Sequence, residues 1–406
     1  MTQPSAPSDL PAGLPVVRLK PKANARAVRR GFPWVFANEM VVDRRTGALT
    51  PGTVALLEDA ERSPLGLVAV NPASKIFCRM LDAEGGTAPD EAWFAARLSK
   101  ALALRERLFD APFYRLVHAE ADGLPGIIID RFGDVAVIQP NAAWADVLIA
   151  PLAAALAQVT GCTTILKNAG GRGRSLEGLD DRDAVLLGTA PEAPLPVEMN
   201  GATYMADVTG GQKTGLFFDQ RPNHAFAARL AEGARVLDVF SHVGGFALAA
   251  LAGGAASALA VDGSAPALAL AEQGAAQMGA VDRFATRQGD AFDTLTALGQ
   301  EGEVFDLVIC DPPAFAPSKP ALDKGLRAYE RVARLSAPLV SEGGYLVLCS
   351  CSHAADLTAF TGACLRGIGR AGRRAQLIHT GGAGPDHPLL PQLAESGYLK
   401  ALFFRL

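Results

Sequence analysis

Apolar and polar positions change their period three times along the chain. Residues 1–15 hold Pro, Ser and Ala without a periodic apolar face and are expected to be a disordered tail. Short apolar runs then alternate with turn residues as far as Leu81. They are VVRLK from Val16, TVALLED after Pro51-Gly52, and GLVAVN beyond a hairpin-like turn at Arg62-Ser63-Pro64. This pattern predicts a small β-barrel over residues 16–86. Gly85-Gly86-Thr87 marks a linker. Over 90–108, Trp93, Leu98, Leu102 and Leu108 alternate with Arg97, Lys100, Arg105 and Arg107, which predicts a helix. The runs IIID, VAVIQ and TTILKN, with a helix over 145–158, complete a small α/β unit over 87–197. Pro191, Pro194 and Pro196 close it.

Over 198–406 the period changes again. Strands rich in Val, Leu and Ile (VLDVF, ALAVDG, FDLVICD, GGYLVLCS and the final YLKALFFRL) alternate with Ala-rich helical stretches. Alternating βαβ units predict an α/β fold with a parallel, doubly wound sheet. Such a sheet binds its ligands at the carboxyl ends of its strands.

Composition narrows the class. With 406 residues, 49% hydrophobic positions and a net charge of -4, the chain is too apolar and too weakly charged to be disordered. Its length suits two or three domains. Six Cys without framework spacing, and no secretory leader, point to a reducing cytosol and a cytoplasmic protein. Residues 239–261 carry no Asp, Glu, Lys or Arg, yet they are mostly Ala and Gly and include Ser241, His242, Gly244-Gly245 and Gly253-Gly254. They read as strand, turn and helix inside a soluble domain rather than as a membrane span.

Charge is unevenly spread. Arg18, Lys20, Lys22, Arg26, Arg29 and Arg30 form a basic stretch with no acid among them, which suits phosphate contact. A second cluster, Arg366, Arg370, Arg373 and Arg374, falls near one face of a predicted helix. Either cluster is as well explained by a solvated face.

Candidate chemistry gathers in the C-terminal half. In VLDVFSHVGGFALAAL, glycines at a strand-to-helix turn let the backbone approach a ligand, and the helix N-terminus offers free N–H groups. The dinucleotide fingerprint G-x-G-x-x-G is absent. Asp238, Asp262, Asp290 and Asp311 end four successive strands. Asp238 would face a cationic or hydroxylated cofactor, Asp262 a ribose diol, and Asp290 an adenine amino group. This ordered set resembles the S-adenosylmethionine (SAM) site of class I methyltransferases. The expected neighbours of SAM are Phe240, Ser241, Gly244, Gly245 and Phe246 at the turn, Gly263 and Ser264 after Asp262, Ala291 after Asp290, and Pro312 and Pro313 after Asp311. No metal is called for.

Asp311-Pro312-Pro313-Ala314-Phe315 resembles a motif beside the methyl group in that class. There the acid meets a polar edge of a planar base, and Phe315 is expected to stack on it. Alone, this motif would suit methylation of an exocyclic amine. The next strand ends in Cys349-Ser350-Cys351-Ser352, which suits a different reaction. Carbon 5 of cytosine accepts a methyl group once a thiolate has added to carbon 6 and an acid has engaged N3. Strand alternation sends Cys349 and Cys351 to one side, and Cys351, nearer the loop, is the expected nucleophile. Cys78, Cys162, Cys310 and Cys364 read as buried small hydrophobes, and His242 and His353 as polar lining.

FSHVGGF (240–246), QKTGLFFDQR (212–221), DPPAF (311–315), SCS (350–352) and Asp386-His387-Pro388 together resemble the RlmI-type large-subunit ribosomal RNA cytosine-5 methyltransferases. GFPWVFANE (31–39) and RLVHAEADGLPGIIIDRFG (115–133) extend the likeness over nearly the whole chain. The resemblance implies an N-terminal PUA domain, a central α/β domain and a Rossmann-like SAM domain. It implies Cys351 as nucleophile, Asp311 as its partner on the ring, and large-subunit ribosomal RNA as substrate, and it allows a homodimer. Lys213, Thr214, Gly215, Phe218, Gln220 and Arg221 would lead into the SAM site. The sequence departs from the two-cysteine RNA enzymes: Ala314 and Phe315 stand where those carry a second Cys, so another base must release the product. Two rivals remain at this stage, a methyltransferase acting on a base nitrogen and a non-catalytic SAM-sensing RNA-binding protein.

Overall fold

A computed structural model of the chain describes residues 13–83, 86–210 and 215–406. Residues 1–12 of the expected tail, and Gly85 of the expected linker, lie outside them. The chain divides into two compact units. One comprises residues up to Ala190 together with Asp386–Ser396; the other comprises Pro191–Pro385 and Gly397–Leu406. No described helix is long and apolar enough to cross a membrane.

In the first unit the short apolar runs become a five-stranded sheet. Its order is Val16–Arg18, Thr53–Glu58, Pro64–Val70, Ile76–Asp82, Trp34–Phe36. The two edge strands meet just past their ends: Leu19 bridges Met40, and the Lys20 amide donates to the Glu39 carbonyl at 2.8 Å. The sheet therefore closes into a barrel around Val17, Leu57, Val68, Phe77 and Cys78, and closure removes open edges.

A second five-stranded sheet runs Ala184–Leu187, Thr164–Lys167, Val135–Pro140, Ile127–Phe132, Phe113–His118. Helices Glu91–Leu108 and Ile149–Thr160 pack in its core through Phe94, Leu98, Leu152 and Leu156. Asp90 starts the first helix by accepting the Trp93 amide at 2.8 Å. Two stretches of the sequence, RLVHAEAD and DHP, meet in this unit around a buried ion-pair cluster. Arg105, fully buried, makes two 2.7 Å bonds to Asp122 and donates to the Asp386 carbonyl at 3.0 Å. Asp386 accepts the Arg115 amide at 3.1 Å and pairs with His387 at 3.0 Å. Burial and the neighbouring His387, Arg115 and Arg105 push the His118 pKa down to about 2, so its ring is neutral.

The basic stretch near the start is partly spent inside the unit, contrary to expectation. Arg18 pairs with Glu58 at 2.9 Å, Arg29 pairs with Asp59, and Lys20 donates to the Asn38 carbonyl. Lys22, Arg26 and Arg30 stay exposed and outside the described ion pairs. The neutralising acids sit on the neighbouring Thr53–Asp59 stretch, which no local reading of the basic run could reveal.

The second unit opens with the hairpin Leu195–Met199 and Ala202–Ala206. Seven strands follow: β1 (Arg235–Val239), β2 (Ser257–Asp262), β3 (Phe284–Gln288), β4 (Phe305–Cys310), β5 (Val340–Ser350), β6 (Gln376–Gly381) and β7 (Lys400–Arg405). Their order is β3-β2-β1-β4-β5-β7-β6, parallel except around β7. Six helices accompany them: α1 (Arg221–Arg229), α2 (Gly245–Ala252), α3 (Ala265–Gln277), α4 (Ala291–Gln300), α5 (Leu322–Ser336) and α6 (Leu357–Arg370). Leu237, Val239, Val308, Cys310, Leu346 and Leu348 fill one face of the sheet with α4, α5 and α6. By alternation Asp238 and Cys349 look to the other face. The order reverses between β1 and β4, which puts the ligand crevice of such a sheet at their carboxyl ends. In the second arginine cluster, Arg366 and Arg370 pair with Glu330 and Arg373 donates to the Ala337 and Val340 carbonyls, while Arg374 is exposed.

Candidate active site at the carboxyl ends of the strands

The turn after β1 is strained in a way that shapes a cradle. Phe240 (φ 64°), His242 (φ 50°) and Gly244 (φ 78°) all adopt left-handed backbone within one turn. For Phe and His that costs about 1–3 kcal/mol each and persists only where surrounding structure enforces it. Enforcement comes from neighbouring strand ends. Ser241 N donates to the Val261 carbonyl at 3.0 Å, and His242 N donates to the Asp262 carboxylate at 2.9 Å. Gly245, the first residue of α2, faces a ring rather than solvent. A Cβ there would lie 2.9 Å from Nε2 of His224, which is buried beside Tyr204 and Phe246.

Several polar atoms line this cradle without partners among the described residues. Asp238 is buried; one oxygen accepts the Ala247 amide at 2.9 Å, while Oδ1 has no hydrogen-bond partner among the described residues. The same holds for the buried Ser241 hydroxyl and His224 Nδ1. Burial pushes the Asp238 pKa up to about 7, with the Ala247 and Phe246 amides and the charge of Asp262 as lesser influences. An unpaired buried carboxyl oxygen is costly, and a cationic ligand atom would satisfy it. Asp262 ends β2 with its carboxylate accepting the His242 and Ser264 amides. Ser264 caps α3, and Gly263 lies between them. Asp290 is exposed and caps α4, which starts at Ala291, by accepting the Phe292 and Asp293 amides. The donor set fits SAM: acids beside a glycine turn for its amino acid part, and a strand-end carboxylate for its ribose.

Asp311, one residue beyond β4, is half-buried and accepts Gln220 Nε2 at 2.9 Å. Burial, with the carboxylates of Asp219 and Asp238 nearby, pushes its pKa up to about 8; Gln220 opposes the shift. The neutral form of the Asp311 carboxyl is favoured well above the usual carboxylate range. Pro312 is buried and Pro313 exposed. Phe315, expected to stack on a target base, is instead half-buried in an aromatic cluster. Its ring centroid lies 5.0 Å from Tyr329, 6.1 Å from Phe292 and 6.3 Å from Phe240. The sequence shows the ring but not these neighbours, which come from three separate elements.

Cys349 is buried, and burial together with Asp311 holds its thiol well above the usual range. Cys351, just past the end of β5, is half-buried. Lys400 opens β7 opposite Ser350, and its ammonium donates to the Ser352 and Ala355 carbonyls at 2.7 and 2.8 Å. Burial lowers the Lys400 pKa, against the pull of Cys351 and Asp356. Sequence reasoning passed over this lysine, though a lone cation at the head of the apolar run KALFF was a usable signal.

Lys213 and Thr214 lie outside the described residues. Gly215 has left-handed backbone and Phe218 is buried. Gln220 precedes α1, and Arg221 opens it, with its side chain 5.5 Å from the Phe218 ring. Asp219 accepts the Tyr398 hydroxyl at 2.6 Å.

Two family patterns match the chain: the S-adenosylmethionine-dependent methyltransferase pattern over residues 152–405, and a PUA-like domain over 17–83. A ribosomal RNA large subunit methyltransferase of Deinococcus radiodurans is 35% identical over 99% of this chain and 100% of its own length. The ribosomal RNA large subunit methyltransferase I of Erwinia tasmaniensis is 34% identical over 95% of this chain and 98% of its own. Among solved structures, a protein of Streptococcus mutans described as a SAM-dependent methyltransferase superposes with a TM-score of 0.81 at 19% identity. That likeness covers 97% of this chain and 100% of that one, and it speaks for the fold. A similar chain, solved in complex with SAH, gives 0.81 at 20% identity, covering 97% of this chain and 99% of that one. With a seven-stranded sheet, a strained glycine turn and a buried acid at the strand ends where SAM would lie, this chain belongs to the S-adenosylmethionine-dependent methyltransferase family and carries a PUA-like domain at its N-terminus.

Proposed function

We propose that the enzyme methylates carbon 5 of a cytosine in large-subunit ribosomal RNA, with Cys351 as nucleophile and Asp311 as acid. The relatives named above carry the substrate class in their names. The observation that carries the chemistry is the neighbouring pair of strand ends, a half-buried thiol after β5 and, after β4, a carboxyl held by Gln220 whose burial favours its neutral form.

The Cys351 thiolate adds to carbon 6 of cytosine, forming a C–S bond. The electron pair of the 5,6 double bond moves through the ring to N3, which takes the proton of Asp311. Carbon 5 is then enamine-like and nucleophilic. Bound SAM supplies the electrophilic methyl group. A base next removes the carbon 5 proton, the 5,6 double bond re-forms, and the C–S bond breaks to return the thiolate. N3 gives its proton back to Asp311. An acid with a pKa near the working pH suits both directions of that transfer. Asp238, Ser241 and Asp262 would hold SAM, and Gln220 orients Asp311 through its 2.9 Å bond.

Residues 16–86 act in this reading as the RNA-holding PUA domain, 87–197 as the central domain and 198–406, apart from the Asp386–Ser396 segment that belongs to the first unit, as the catalytic domain. Lys22, Arg26 and Arg30 supply the exposed charge for phosphate contact, working through charge and shape rather than sequence. The target base is unstacked before it enters the site, at a cost of a few kcal/mol.

The test is methyl transfer from labelled SAM to large-subunit ribosomal RNA taken from cells lacking the gene, followed by nucleoside mass spectrometry. The reading expects 5-methylcytidine with the native enzyme and none with Cys351→Ala. A methylated purine, or full activity in Cys351→Ala, overturns it.

A further inference from the structure

Ser350 and Ser352 flank Cys351, and both side chains turn away from it to a phenol. Ser350 donates its hydroxyl to Tyr329 Oη at 2.9 Å, and Tyr329 Oη lies 2.7 Å from Ser352 Oγ. Either oxygen of the Tyr329–Ser352 pair can serve as the donor. Ser352 Oγ also accepts the Ala316 amide at 2.9 Å, and the Ser352 amide reaches Ser350 Oγ at 3.3 Å. All four groups are buried. Ala316 follows the DPPAF stretch directly, so a chain of hydrogen bonds joins the loop bearing Asp311 to the loop bearing Cys351. Tyr329 itself is anchored by rings, Phe360 and Phe315 each 5.0 Å away. Lys400 holds the same loop one step further on, through the Ser352 and Ala355 carbonyls.

We propose that Tyr329 is a positioning residue: its hydroxyl, bridging Ser350 and Ser352, fixes the Cys351 loop in register with the Asp311 loop. This rests on the cysteine mechanism for its catalytic consequence, though not for its geometry. A thiol that must meet carbon 6 while an acid meets N3 tolerates little relative movement of the two loops, and a misplacement of about 1 Å can cost roughly a hundredfold in rate. The S-C-S pattern is explained on the same terms. The outer serines point to α5 and are used for support, and alternation leaves the central cysteine on the opposite side. A buried network of this kind holds its members rigidly only while every link is made.

The test compares Tyr329→Phe with native enzyme. The substitution keeps the ring packing against Phe360 and Phe315 and removes only the hydroxyl. Two readouts separate the clamp from the cysteine mechanism. Amide hydrogen exchange at Ala316 and Ser352, measured on the RNA-free protein, should quicken by about tenfold or more, because these amides lose their ordered acceptors. In methyl transfer, kcat should fall by roughly tenfold to a hundredfold while the SAM KM stays unchanged. Ser336→Ala is the control. It deletes another buried hydroxyl on the same helix, one bonded to the Val332 and Ala333 carbonyls and turned to the Cys310 thiol inside β4 rather than to Ser350, Ser352 or Ala316, and it should leave both exchange rates and kcat as they were. Unchanged exchange in Tyr329→Phe overturns the clamp whatever the mechanism. Quickened exchange with unchanged kcat overturns its catalytic role. If Cys351→Ala retains activity, the cysteine mechanism fails, while the exchange result still decides the clamp.

Discussion

Replacing Asp311 with Asn should make the protein more stable as the pH rises, even as it abolishes methyl transfer. The native carboxyl has a pKa of about 8, against an ordinary value of 3.8, because it is buried beside Asp219 and Asp238. Between those two values the folded chain keeps a proton that the unfolded chain has released. Native stability therefore falls as pH rises through this window, and the loss is complete above about pH 8. At 1.36 kcal/mol per pH unit the ceiling is about 6 kcal/mol. Partial exposure of the carboxyl screens some of this, so a few kcal/mol is expected. Asn cannot ionise, and its amide oxygen can still accept Gln220 Nε2, which now bonds the carboxylate at 2.9 Å. Urea unfolding of both proteins between about pH 5 and pH 9 is the assay. The variant should gain on the native protein up to about pH 8 and then hold a constant lead, and its methyl transfer should drop by at least about a hundredfold. A gap between the two stability curves that is constant over the whole range would refute the argument that Asp311 is held as an acid.

Three further outcomes follow from the geometry. Gly245→Ala should weaken SAM binding by about tenfold or more and cost about 1–3 kcal/mol in stability, since the new methyl meets the walled-in His224 ring at 2.9 Å; calorimetric titration with SAM checks it, and native affinity would contradict it. Arg105→Met should destabilise the first unit by about 3–5 kcal/mol, because it strands Asp122 after the loss of two 2.7 Å bonds; chemical unfolding followed by Trp fluorescence reads this directly. Lys22→Gln, Arg26→Gln and Arg30→Gln together should lower RNA affinity and flatten its salt dependence, each cation that met a phosphate taking about 0.9 from the slope, whereas Arg366→Gln should leave that slope alone because its guanidinium serves Glu330.

Local pattern made much of the molecule legible. VLDVF, ALAVDG and FDLVICD are apolar runs with an acid at or near the carboxyl end, and they became strands with those acids at or just past one edge of the sheet. The glycine turn after β1 was readable because only a backbone approach explains Gly244-Gly245 at that place. The arginine clusters misled. The acids that neutralise them, Glu58, Asp59 and Glu330, are distant in sequence and adjacent only in the fold. Phe315 misled for a similar reason, since its neighbours Phe240, Phe292 and Tyr329 come from three elements. Tyr329 gave no signal at all. On a helix an aromatic among apolar positions reads as core, and its hydroxyl acquires meaning only when Ser350 and Ser352 are brought beneath it.

The account is tested most directly by large-subunit ribosomal RNA in which cytosine is replaced by 5-fluorocytosine. Fluorine at carbon 5 cannot leave as a proton does, so the C–S bond made by the enzyme should persist. With SAM present, a covalent protein–RNA species is expected, and peptide mass spectrometry should map the nucleotide to Cys351. Methylation of the unmodified RNA without any trapped species, or a nucleotide attached at another cysteine, would contradict it.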